Sequence, residues 1–108
     1  MTKLPSFYTE FRSAHPKVTA AYESLGDATR EAGPLSPAEA EIVKLALAAG
    51  ARLEGAVHSH ARRALEAGAT PERLRHVPLL AITTLGFPAA MATRALVEDV
   101  LKAHKPAG

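Results

Sequence analysis

The chain has 108 residues, a net charge of +2 and no cysteine, which leaves room for a single domain and excludes disulfide or thiol chemistry of its own. Of its 51 apolar residues 23 are alanine, so only 28 larger apolar side chains are left to fill a core, and completion by further copies of the chain is expected. The basic residues are scattered rather than gathered with aromatics, which argues against nucleic acid as a partner. The longest apolar stretches, Ile42–Ala49 and Val77–Leu85, fall short of the roughly 20 residues that span a bilayer, so no membrane segment is expected. The opening Met-Thr-Lys-Leu-Pro-Ser lacks the apolar run of a signal peptide, and a cytoplasmic location follows as an expectation.

Alanine and leucine together supply 36 residues and valine plus isoleucine only eight, a balance that favours helix throughout. Phe7, Tyr8 and Phe11 predict a first helix over Pro5–Ser13. Pro16 restarts the chain into Lys17–Glu31, with Val18, Ala21, Tyr22, Leu25 and Ala28 on one face, Gly26 as a weak point and Gly33-Pro34 as the stop. Ser36-Pro37-Ala38-Glu39 is the clearest start signal: a capping serine, a proline at the first helical position and a glutamate that closes the capping box. The helix it opens should run to about Ala49. After Gly50, the stripe Leu53, Ala56, Val57, His60, Ala61 and Ala64 predicts an amphipathic helix ending at Ala67-Gly68. Thr70-Pro71 caps the next helix, which Pro78 should divide into Pro71–His76 and Pro78–Leu85. Gly86-Phe87-Pro88 opens a last helix to about Ala103, followed by a frayed tail over His104–Gly108.

His60 lies on the apolar stripe of its helix among alanines, where it is either a core histidine satisfied by a carbonyl or hydroxyl, or a general acid or base. Glu41 stands nine residues before Gly50 and His60 ten after it, so a chain reversal near Gly50 brings them face to face. A carboxylate beside an imidazole orients the ring and poises the pair to move a proton. In one uninterrupted helix the two would be about 28 Å apart, and Glu41 would be left to an exposed pair with Lys44. His58, two residues from His60, points to nearly the opposite side of the helix, which makes a shared metal improbable. It falls in line with Glu54 and Arg62, either as a surface ion row or as a polar contact at a subunit interface. His76 suits a helix end. The corner Gly86-Phe87-Pro88-Ala89-Ala90 is structural or walls a small pocket. No phosphate loop, cysteine zinc site or nucleophile elbow is present.

From Leu35 to Leu101 the sequence resembles the carboxymuconolactone decarboxylases and their alkyl hydroperoxide reductase D-like relatives. The resemblance is carried by Leu35-Ser36-Pro37, by Glu41, by His60 with the following Ala64-Leu65-Glu66-Ala67-Gly68-Ala69-Thr70-Pro71-Glu72, and by Leu79-Leu80 through Gly86-Phe87-Pro88-Ala89-Ala90. It implies an all-α, compact multi-helix fold with a central helical hairpin, completed by assembly into a homo-oligomer, a trimer or hexamer. The whole chain, 1–108, then forms one domain, with an N-terminal arm over about 5–33 and the family core over about 35–103. In the peroxidase branch of the family a Cys-x-x-Cys pair precedes the motif histidine. The matching positions here are Leu53 and Ala56, while the relay glutamate is retained as Glu41. Dithiol peroxide reduction is therefore not expected.

The decarboxylase branch, which uses no cysteine, implies proton transfer or decarboxylation on a small organic acid or lactone without cofactor or metal. His60 would carry the proton and Glu41 orient it, with His58, Arg62 and Phe87 as candidate substrate contacts. The alternative is a catalytically silent, oligomeric binding or scaffold protein of the same fold.

Overall fold

Proline at the first position of a helix sacrifices only an N–H that has no intrahelical partner, and the chain uses this device repeatedly. The structure, a computed structural model, describes residues 6–104, and its helices fall into two units, Met1–Pro34 and Leu35–Gly108. The first unit holds α1 (Ser6–Ala14) and α2 (Pro16–Glu31). Pro16 opens α2, and the Thr19 hydroxyl donates to the His15 carbonyl at 2.9 Å to close its first turn. The two helices are clasped by polar contacts. Glu23 Oε2 accepts from the Tyr8 hydroxyl at 2.9 Å and from Arg12 Nη2 at 2.7 Å, while the Arg12 guanidinium lies 5.2 Å from the centroid of the Tyr8 ring. Gly26 does not interrupt α2. The expected start at Pro5 and the tail beyond His104 lie outside the described residues.

In the second unit, α3 (Pro37–Gly50) begins with the predicted capping box. The Ser36 hydroxyl accepts from the Glu39 N–H at 3.2 Å and the Glu39 carboxylate accepts from the Ser36 N–H at 2.8 Å. The buried residues Glu41, Leu45, Ala48 and Ala49 trace one face of α3. The chain then reverses into α4 (Glu54–Glu66) through a three-residue turn, with the Arg52 N–H donating to the Ala49 carbonyl at 3.2 Å and the Leu53 N–H to that of Ala48 at 3.0 Å. Gly50 remains helical. The left-handed residue is Arg52, with φ of 61°. A position that favours glycine is thus held by a side chain with a Cβ.

Thr70 caps α5 (Pro71–Leu85), and Gly86, at φ of 99°, turns the chain into α6 (Phe87–Ala103). The expected division of α5 at Pro78 does not occur: one helix runs through it. Only the bond to the Leu74 carbonyl is forgone, and Pro78 is among the most deeply buried side chains, so packing offsets a defect that costs about 3 kcal/mol in an exposed helix. Around Leu45, Val57, Leu74 and Val97, all essentially inaccessible, the core is filled by Ala48, Ala49, Ala61 and Ala64, whose small size lets the helices approach closely. Between α5 and α6, Arg75 grips Glu98 with both arms, Nε to Oε2 at 2.9 Å and Nη2 to Oε1 at 3.2 Å, and thereby holds the Glu98 carboxyl below the usual carboxylate range. Among the described residues no helix is long and apolar enough to cross a membrane.

Replacing Arg52 by glycine should stabilise the fold by about 0.5–1 kcal/mol, measured as a raised urea midpoint, because the steric cost of the left-handed position exceeds the entropy that glycine adds to the unfolded chain. Since the folded carboxyl of Glu98 titrates below its unfolded value, the Arg75 pair contributes fully above the ordinary glutamate range, and its contribution disappears as pH falls through the lowered value. Urea titrations of wild type and Arg75→Gln should therefore differ by a constant amount from neutral pH upward and converge on acidification.

Candidate active site

Glu41 occupies the face of α3 that Leu45, Ala48 and Ala49 turn toward the core, and the reversal at Ala51–Leu53 lays α4 back along that face. The near-equal spacing about Gly50 then becomes a contact: His60 Nδ1 lies 2.9 Å from Glu41 Oε1. The pair is sheltered, with 16% of the imidazole and 7% of the carboxylate side chain exposed. A carboxylate in such surroundings requires a donor, and the Nδ1–H of His60 supplies one. With that proton held against Glu41, the ring is fixed in orientation and Nε2 becomes the nitrogen that can meet a substrate. Val57, Ala61, Ala64 and Leu65 wall the same helix with hydrocarbon. The arrangement can accept a proton at Nε2 and return it, with Glu41 balancing the charge that appears on the ring.

His58 is turned elsewhere. Its Nε2 is shielded from solvent without a hydrogen-bond partner and stands 3.6 Å from Asp99 Oδ2 on α6. The surface row with Glu54 and Arg62 is thus replaced by an approach to another helix. The sequence carries no local signal for Asp99, which lies far along the chain. Arg62 is half-buried and, two residues beyond His60, is rotated by about 200° around the α4 axis. Phe87 stands at the first position of α6 and is 60% exposed. The structure therefore joins Glu41 to His60, while His58 approaches Asp99 and Phe87 is exposed at the start of α6. His76 lies within α5 rather than at a helix end. Among the described residues no group of three or more histidine, cysteine, aspartate or glutamate side chains is placed to hold a metal ion.

Removing the carboxylate as Glu41→Ala leaves the Nδ1–H of His60 without its acceptor and should cost about 1–3 kcal/mol in urea denaturation. Glu41→Gln, which keeps an acceptor oxygen, should cost less.

In comparisons with known proteins, no curated protein and no solved structure matches the chain. The profile of the carboxymuconolactone decarboxylase family matches residues 16–99. The match begins at the start of α2, well before Leu35 where the sequence resemblance was drawn, and it ends within α6. It takes in Glu41, the turn at Arg52 and His60, and it spans far more than half of the sequence. The chain belongs to the carboxymuconolactone decarboxylase family.

Proposed function

We propose that the protein is a cofactor-independent, decarboxylase-like enzyme that moves a proton on a small organic acid or lactone. The observation that carries this reading is the sheltered 2.9 Å contact between His60 Nδ1 and Glu41 Oε1. In decarboxylation of an unsaturated lactone acid, the bond to the carboxylate breaks, carbon dioxide leaves and the electron pair passes into the conjugated carbonyl as a dienolate. His60, protonated at Nε2, then delivers its proton to carbon, while Glu41 keeps the ring aimed and stabilises it in the charged form. A positioned acid or base of this kind contributes about 10²–10⁴-fold in rate. Because the chain has no cysteine, dithiol peroxide reduction forms no part of the reading.

The reading includes a homo-oligomer, a trimer or hexamer, in a cytoplasmic setting, with 1–108 as one family domain. The oligomer is supported by the apolar side chains that the second unit exposes, among them Leu47 at 68% and Leu79 and Leu80 at 60% each.

Loss of 4-carboxymuconolactone, followed by ultraviolet absorbance, tests the chemistry. Wild type should turn over, His60→Ala should lose activity while retaining its helical circular dichroism, and Glu41→Gln should fall by about 10²-fold. A folded His60→Ala variant that is as active as wild type removes His60 from the reaction, and an inactive wild type favours a silent binding protein. Light scattering at micromolar concentration should give the mass of an oligomer; a monomer refutes the assembly.

A further inference from the structure

The contact between His60 and Glu41 limits how protons can move at this site. His60 commits Nδ1 to Glu41 at 2.9 Å, which leaves Nε2. The neighbouring imidazole, His58, directs its Nε2 toward Asp99 on α6, and Arg62 is rotated by about 200° from His60 on α4. A substrate carbon that loses a proton to His60 Nε2 is therefore next to the same atom when a proton returns.

We propose that the Glu41–His60 pair also catalyses a one-base allylic isomerisation, converting a small β,γ-unsaturated lactone into its conjugated isomer with the proton carried along one face by Nε2. The inference rests on reading the pair as an acid–base dyad. It follows from reversibility: an acid that protonates a dienolate at carbon is, run backward, the base that makes such a dienolate from a C–H bond. The Nε2 lone pair takes a proton from the carbon between the carbonyl and the double bond. That C–H bond breaks, and its electrons pass into the carbonyl to form the dienolate. The imidazolium, held by Glu41, then gives the proton to the far end of the former double bond, where a new C–H bond forms. No atom is lost and no co-reactant is consumed. Only 16% of the His60 side chain is exposed, so return of the captured proton competes with its exchange into water and part of it goes back to the molecule it came from.

The test uses α-angelica lactone in deuterium oxide, followed by proton nuclear magnetic resonance. Wild type should form the conjugated isomer faster than buffer does, and early product should carry a measurable fraction of substrate-derived protium at the methyl-bearing ring carbon. His60→Gln should reduce the enzymatic rate by at least about 10²-fold. Isomerisation no faster than buffer, complete deuteration at that carbon, or a His60→Gln variant as fast as wild type would each overturn the proposal. Should His60→Gln fail to fold, the rate and protium retention of the wild type decide by themselves. Loss of 4-carboxymuconolactone, assayed on the same preparation, separates the two readings. Decarboxylation without isomerisation rejects only this inference, isomerisation with retained protium but no decarboxylation supports it while changing the preferred substrate, and failure of both rejects both.

Discussion

The hydrogen bond between His60 and Glu41 is the contact around which the hairpin of α3 and α4 is organised. Burying an ionised carboxylate costs several kcal/mol unless a donor meets it, and a well-packed apolar pair of similar volume is often at least as stable. In a core with few bulky side chains, hydrocarbon at both positions would satisfy packing without any polar partner. Retaining a carboxylate and an imidazole there makes physical sense if the proton between them is used. The bond fits one register of the hairpin, because sliding α4 by one residue would rotate His60 by about 100° away from Glu41.

Alanine makes this closeness possible. Ala48 and Ala49 on α3 and Ala61 and Ala64 on α4 let the two helices meet at short range, with Leu45 and Val57 as the larger fillers. The same economy leaves the second unit with Val43, Leu47, Leu79 and Leu80 in water. A thin core and apolar exterior are two consequences of one composition. The cost at Arg52 belongs to the same geometry, since the hairpin needs a left-handed residue just where the chain reverses.

Membership of the carboxymuconolactone decarboxylase family and the absence of cysteine narrow the chemistry together. Leu53 and Ala56 occupy the positions that the sequence resemblance assigns to the thiols of peroxidase relatives. Leu53 sits at the start of α4 without a side-chain cap, and Ala56 lies one turn before His60. Hydrocarbon at both places leaves no sulfur at the positions that precede His60. A dithiol route for electrons is therefore closed to these residues.

Local chemistry was legible from residues close in sequence. Ser36-Pro37, Thr70-Pro71 and Gly86 mark their helix boundaries because caps, fixed proline φ and left-handed glycine act within a few residues. The facing of Glu41 and His60 was readable as a consequence of one reversal, since near-equal spacing about Gly50 is a local count. What the tertiary structure decided lies beyond such counts. Burial of Pro78 keeps α5 whole, the left-handed position falls on Arg52 rather than Gly50, His58 turns to Asp99 instead of Glu54 and Arg62, and Arg75 finds Glu98. Each of these depends on which helix lies against which and at what register, and that is set by the collective packing of side chains distant in sequence, which no single segment encodes.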